Sequence, residues 1–312
     1  MNEQPGVTVC IVTYNSANDI EVCLKAVMSQ TWPAIDIVVV DNASGDNTVE
    51  IVSSMIEEDR VVLNEENIGF AAGQNLAIAQ SRFPYVLVLN PDVVLEKDYV
   101  RKLVERAESN PSIGSATGCL VIKSNPESID SAGLEMNVLR RASERGAGRA
   151  VQEFQEAEEV FGVSGAAALY SRRMIEAISV DGQFFDEDFF AYKEDVDVAW
   201  RANLLGWKAW YEPQARGLHG RNWGSRKDRK RIPNKVRQHS HQNRYLMILK
   251  NERFNFRWWI RFPKLILYEI VLHCYLLIRE PKVLFACIRN LIRLIPDSWN
   301  KRKKINFLRQ FI

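Results

Sequence analysis

The sequence contains no CxxC pair; its five cysteines (Cys10, Cys23, Cys119, Cys274, Cys287) are scattered and odd in number. That excludes a disulfide framework and a zinc site of the usual spacing, and it fits a reducing compartment. No GxGxxG follows the first apolar run and no GxxxxGK[ST] occurs, which disfavours dinucleotide-dependent hydride transfer and P-loop hydrolysis. The start, MNEQPGVTVCIVTYN, has no basic region before its apolar run, so a cleaved secretion signal is not expected. The apolar stretch FPKLILYEIVLHCYLLI (262–278) is broken by Lys264, Glu269 and His273 and makes a poor spanning helix. There is no internal repeat and no low-complexity tract.

What is present is an uneven distribution of charge. The net charge over 312 residues is only +2, yet residues 216–312 hold 24 Lys and Arg against 5 Asp and Glu. The first 215 residues are correspondingly acidic. A basic tail of this kind meets anionic lipid, nucleic acid or another polyanion. The acidity is densest in FFDEDFFAYKEDVDVAWR (184–201), where six carboxylates stand among six aromatics.

The first hundred residues alternate regularly. VTVCIVTY (7–14), IDIVVV (35–40), VVL (61–63) and YVLVL (85–89) are short continuous apolar runs, as buried parallel strands require. Between them, Ile20, Leu24, Val27 and Met28 repeat at helical spacing, and NTVEIVSSMIEE and AGQNLAIAQS also read as helices. This alternation predicts a doubly wound α/β fold. SIGSATGCLVI predicts a further strand, SERGAGRAVQEFQEAEE a loop or short hairpin, and residues 226–312 a basic amphipathic helical extension.

Ligands bind open α/β sheets at the carboxyl ends of the strands. Each of the first four strands runs there into a polar cluster: Thr13-Tyr14-Asn15, DNASGDNT from Asp41, NEENIGFAAGQN, and Asn90-Pro91-Asp92. Each cluster alone also reads as turn residues capping the next helix. Four of them on one sheet edge outline a binding site.

Taken in order, these stretches, LNPDV and FDEDFFAYKEDVDVAWRANLLGW resemble glycosyltransferase family 2, and within it the rhamnosyltransferase-like members of GT-A fold. The resemblance covers about residues 7–225 and implies a catalytic domain over 1–225. It implies that Thr13, Tyr14 and Asn15 line the nucleotide pocket, with Asn42 beside Asp41, whose carboxylate accepts from the imide N–H of a pyrimidine base. It assigns Asn67, Gly69, Gly73 and Asn75 to the loop under the sugar diphosphate. Asn90 and Asp92 stand where the family has its metal-binding acidic motif, with Asn90 replacing the first carboxylate. His219 resembles the histidine that completes a Mg²⁺ or Mn²⁺ site. Glu194-Asp195 matches the family's Glu-Asp motif, with Asp195 as general base.

The implied activity is inverting transfer of a sugar, L-rhamnose from dTDP-L-rhamnose, onto a hydroxyl of a glycan or lipid-linked saccharide. Such a displacement needs one base and no covalent intermediate. Two rivals remain open: a sugar-nucleotide-synthesising nucleotidyltransferase, which should show a Gly- and Arg-rich phosphate loop near its start, and a non-catalytic membrane adaptor. Helical spacing groups Val196, Trp200 and Leu204 on a core-facing stripe and sets Asp197 and Arg201 as an exposed i, i+4 pair. Asp195 is expected at the helix start, Asp186 and Glu187 on the acceptor side, and Asp188 in solvent. The basic tail, with Lys282, Arg289 and Arg293 opposite apolar residues, NKRKK (300–304) and Trp258, Trp259 and Trp299, predicts peripheral attachment to an anionic membrane on its cytoplasmic face. No nucleic-acid partner is expected.

Overall fold

A computed structural model describes residues 4–220, 233–253 and 256–311. The expected domain boundary at 225/226 lies outside the described residues. Strands β1 (Val7–Thr13), β2 (Ile35–Asp41), β3 (Val61–Leu63) and β4 (Tyr85–Leu89) are the four apolar runs, separated by α1 (Ile20–Met28), α2 (Thr48–Met55) and α3 (Phe70–Ala79). β5 (Val93–Leu95), α4 (Tyr99–Glu108), β6 (Ile113–Ile122) and β7 (Asn125–Ser131) follow. A hairpin of β8 (Leu134–Met136) and β9 (Ala142–Glu144) comes next, and the stretch expected to be a loop or hairpin, 143–159, runs from the end of β9 through a short 3-10 turn (Val151–Glu153) into β10 (Glu158–Val160). β11 (Ala167–Ser171), α5 (Arg172–Ile178), α6 (Glu194–Leu204) and β12 (Lys208–His219) complete the α/β body. Three helices close the chain: α7 (Asn234–Asn251), α8 (Phe256–Arg279) and α9 (Pro281–Leu308).

The main sheet is mixed, in the order β10-β12-β6-β11-β4-β1-β2-β3, with β5 on β12 and β7 on β6. β1 lies parallel between β2 and β4, in a register that sets Thr13 beside Asp41. β11 runs antiparallel to both β4 and β6, so its beginning meets the carboxyl end of β4. One sheet face packs on α1 and α4, the other on α3, α5 and α6. This is the GT-A-type mixed α/β fold with a C-terminal helical extension.

A third core cluster joins that extension to the body. Val196 and Trp200 of α6 pack with Phe189 and Leu134 against Leu246 and Met247 of α7, with Leu204 at the edge. The apolar stripe of α6 thus buries as its spacing predicts, and its partner is another helix.

The charges of the 184–201 segment depart from expectation. Asp197 and Arg201 do pair, at 3.0 Å, but both are buried, with the Asp197 side chain 0% exposed. Arg201 also donates to the carbonyls of Ile178 and Phe184, and Asp197 accepts from Lys250 Nζ at 2.9 Å and Asn251 Nδ2 at 2.7 Å. An i, i+4 charge pair looks the same in sequence whether it faces water or a neighbouring helix; here α7 covers it.

Asp186 is likewise buried against Lys250 and accepts from Lys301 at 2.6 Å, and Asp188 pairs with Lys301 at 2.7 Å instead of standing in solvent. Burial alone would raise the Asp186 pKa, but Lys250 and Lys301 hold it well below the usual carboxylate range. Part of the NKRKK cluster therefore neutralises this protein's own acidic segment. Removing one member of such a network strands buried opposite charges. Lys250→Ala is expected to cost about 3–5 kcal/mol in urea unfolding, whereas Lys25→Ala, which removes an exposed helical partner of Glu21, should leave the midpoint unchanged.

Candidate active site

The strand ends form a stitched floor. At the end of β2, Asp41 is buried and its Oδ1 accepts from Thr13 Oγ1 (2.7 Å) and Ser44 Oγ (2.6 Å), while Oδ2 accepts from Ser44 N at 2.8 Å. A carboxylate oxygen has two acceptor positions, so one on Oδ2 is left for a further donor. Asn15, with a left-handed backbone (φ 53°), takes Ser44 Oγ on its N–H and Gly45 N on its side-chain oxygen, both at 2.8 Å. Tyr14, between Thr13 and Asn15 in the chain, is 53% exposed.

Asn42 carries the floor to the next loop. Its Nδ2 donates to Gly69 O at 3.1 Å and its Oδ1 accepts from Asn64 Nδ2 at 2.9 Å. Asn67 Oδ1 caps Gly69 N at 3.0 Å. Gly69 must be glycine twice over, because its φ is +91° and a Cβ would stand 2.6 Å from Phe190. A Cβ on Gly73 would approach Val12 to 2.9 Å, so that glycine lets α3 lie directly on β1. Asn75 serves a different purpose from its neighbours: it donates to Phe185 O (2.8 Å) and Glu187 (2.9 Å) and accepts from Phe185 N (3.0 Å), bracing the acidic segment on α3.

The fourth strand end meets β12. Asp92 Oδ1 lies 3.3 Å from His219 Nε2, and His219 Nδ1 lies 2.7 Å from Asp130 Oδ2. Burial opposes a charge on His219, but the bonds to Asp130 and Asp92 outweigh it and push its pKa up to about 9. Among the described residues no group of three or more His, Cys, Asp or Glu is arranged to hold a metal. The pair Asp92 and His219 offers two protein ligands. Asp130 carried no sequence signal, since its bond to His219 spans 89 residues.

The acidic helix joins these loops through two neighbouring residues. Gly165 N donates to Asp195 Oδ2 at 3.1 Å, and Ala166 O accepts from Asn90 N at 2.8 Å. Asp195 is the second residue of α6, and its Oδ1 accepts from Val196 N at 2.7 Å. The N-cap is Lys193, so the helix begins one residue before Asp195. Glu194 is buried and, among the described residues, its Oε2 has no hydrogen-bond partner. Burial, and then the adjacent Asp195 charge, push the Glu194 carboxyl up to about 8. Burial and the same two carboxylates raise the Tyr170 phenol.

With this geometry in view, the sequence pattern of "Glycosyl transferase family 2" matches residues 8–179, more than half of the chain. The chain belongs to glycosyltransferase family 2. It is 26% identical over 219 residues to the poly-beta-1,6-N-acetyl-D-glucosamine synthase of Staphylococcus aureus (strain MSSA476), covering 69% of this chain and 50% of that one. The Staphylococcus epidermidis enzyme of the same name is 26% identical over 214 residues, covering 67% and 48%. The chain thus spans about half the length of these relatives.

Two solved structures share the fold. One is a mannosyltransferase from Pyrobaculum calidifontis in complex with GDP-Man and Mn²⁺ (TM-score 0.57, 19% identity, 94% of this chain and 76% of that one). The other is GalNAc-T7 with UDP, GalNAc and Mn²⁺ (TM-score 0.61, 14% identity, 80% and 48%).

The raised Glu194 pKa has a consequence for stability. Its ordinary value is 4.5 and its folded value about 8, so across that window the folded glycosyltransferase holds a proton that the unfolded chain has lost. Stability should therefore fall as pH rises from 5 to 8. Glu194→Gln removes this contribution, and its melting temperature should decline less than the wild type's over the same range in a thermal scan.

Proposed function

We propose that this chain is an inverting glycosyltransferase that moves a sugar from a pyrimidine sugar nucleotide onto a hydroxyl of a glycan or lipid-linked saccharide, in cell-surface polysaccharide synthesis. The observation that carries the reading is the meeting of Asp195 and the Asn90-Pro91-Asp92 turn on Gly165 and Ala166, beside the Thr13–Asp41 floor. A base and a diphosphate-facing carboxylate then flank one position for the anomeric carbon. Asp195 takes the hydroxyl proton as the acceptor oxygen forms its bond to that carbon and the bond to the diphosphate breaks. Glu194, whose carboxyl burial pushes up to about 8, stands beside it.

Asp92 and His219 fit a divalent cation, Mg²⁺ or Mn²⁺, which would take the place of the proton on His219 Nε2. His219 Nδ1 is held by Asp130 and its Nε2 faces Asp92, the orientation that carboxylate–histidine–metal sites use. Cations of this class need few protein ligands when phosphate oxygens complete the shell. Bound there, the ion would supply positive charge against the departing diphosphate. The Mn²⁺ in the two neighbouring structures supports this assignment.

For the donor, the LNPDV and FDEDFFAYKEDVDVAWR motifs favour dTDP-L-rhamnose. The named relatives make an N-acetylglucosamine polymer, so UDP-N-acetylglucosamine is the competing donor. The division into a catalytic domain over 1–225 and an attachment segment over 226–312 belongs to the same proposal. No described helix is long and apolar enough to cross a membrane. Yet α9 exposes Phe285, Ile288, Ile292, Ile295 and Trp299 in one stripe beside exposed Arg289 and Arg293, and α8 exposes Trp259, Leu267, Ile270, Val271 and Ile278. Apolar stripes flanked by cations suit the interface of an anionic bilayer, here the cytoplasmic face, where a lipid-linked acceptor would be within reach.

Incubation with dTDP-L-rhamnose should release dTDP, and NMR of the product should show inverted anomeric configuration. Tighter calorimetric binding of GDP than of dTDP or UDP would overturn the pyrimidine assignment, and turnover of UDP-sugars alone would replace rhamnose. Asp92→Asn, or excess EDTA, should slow transfer by an amount equivalent to roughly a few kcal/mol; full activity in EDTA contradicts the metal assignment. The full-length protein should float with anionic vesicles at low salt and be released at high salt. A chain that ignores such vesicles at low salt is not held to the membrane by this tail.

A further inference from the structure

Asn243 lies on α7, in none of the strand-end motifs, and is fully buried. Its Nδ2 stands 2.8 Å from Phe189 O, 2.9 Å from Ala191 O and 2.7 Å from Tyr192 O. Two N–H bonds thus serve three carbonyls. Such convergence is needed where buried backbone has left both helix and sheet and must still find donors. The backbone here has done so in an uncommon way. Phe190 (φ 59°), Tyr192 (φ 73°) and Lys193 (φ 71°) are all left-handed, and none is glycine. Runs of this kind persist only where their surroundings hold them, and they gather at functional sites.

The segment is gripped from both sides. Ala71 N, at the start of α3, donates to Phe190 O at 3.1 Å. The Phe190 ring stacks on His239, four residues before Asn243 on α7, with centroids 5.1 Å apart. Lys193, the last left-handed residue, directly precedes Glu194 and Asp195 and is the N-cap of α6. Its backbone angles set the direction in which α6 departs, and hence where the Asp195 carboxylate meets Gly165 N.

We propose that Asn243 is a positioning residue for sugar transfer: by tying three carbonyls of residues 189–192 to α7, it holds the left-handed run that aims Asp195. The proposal rests on the reading of Asp195 as general base. It also gives α7, from the basic tail, a share in catalysis that no strand-end motif supplies. A side chain that only satisfied buried carbonyls would affect stability and nothing else.

The test uses the full-length chain with Asn243 changed to Ala, Asp and Ser, and the donor that the wild type turns over. Three quantities are read well below the melting temperature: kcat, the Kd of the nucleoside diphosphate, and amide exchange over residues 188–197. Misplacing a catalytic group by about an ångström costs on the order of 10²-fold, so kcat should fall by that order in Asn243→Ala and Asn243→Asp. Asn243→Ser, which keeps one donor, should lie between them and the wild type. Nucleotide Kd should hold within about a factor of two, since a 10²-fold effect confined to kcat is the signature of positioning, and exchange at 188–197 should quicken.

Wild-type kcat in Asn243→Ala overturns the proposal. So does a serine variant no better than alanine, or a Kd that weakens in step with kcat. If Asn243→Asp does not fold, the serine–alanine comparison decides. Asp195→Asn is assayed alongside. Should it prove fully active, the base assignment fails; should it be inactive while Asn243→Ala is normal, only the positioning role fails.

Discussion

One buried ammonium group, Lys250 Nζ, lies between Asp186 and Asp197 and joins the acidic half of the chain to the basic half. Three helices and a loop depend on that contact. Asp197 anchors the first turn of α6 to α7, and Asp186 anchors the loop before it to α7 and, through Lys301, to α9. Breaking a buried ion pair is far more damaging than never having made it, because the partner is left charged in a medium that solvates it poorly. The acidic segment is thereby tolerated: Asp186, Asp188 and Asp197, three of its six carboxylates, meet a cation supplied from 53 to 115 residues further along the chain.

The start of α6 is held differently. Asp195 accepts from the backbone N–H groups of Gly165 and Val196, while burial and the adjacent Asp195 charge push the Glu194 carboxyl up to about 8. The two carboxyls thus sit in different surroundings, one on backbone donors and one raised by burial, and divergent environments of this kind are where acid–base assignments are read. The stitched Thr13–Asp41–Ser44 floor and the Asp92–His219–Asp130 relay lie at the same sheet edge because β1, β2, β4 and β12 all end there.

Much of this was legible in the sequence, for specific reasons. Continuous Val, Ile and Leu runs such as VTVCIVT and YVLVL leave few alternatives to buried parallel strands, and the clusters after them fall at strand ends by connectivity alone. The α6 stripe of Val196, Trp200 and Leu204 was legible from spacing. What covers it was not, because nothing local to α6 announces that α7 will pack there, and so the buried Asp197–Arg201 pair read as exposed. Asp130, Lys250 and Asn243 escaped for the same physical reason: each acts across 50 residues or more, through a fold that must exist before the contact does. Asn75 sat within the right motif but braces the acidic segment.

The central claim is that the carboxylates of α6 divide between chemistry at Asp195 and architecture at Asp197. Parallel measurement of single-turnover transfer and melting temperature for Asp195→Asn and Asp197→Asn tests it most directly. The account expects Asp195→Asn to melt like the wild type while transfer falls by about 10²–10⁴-fold. Asp197→Asn should instead lose several degrees of melting temperature and keep its transfer rate wherever it remains folded. A stable but inactive Asp197→Asn beside an active Asp195→Asn would contradict the division and move the base to the other carboxylate.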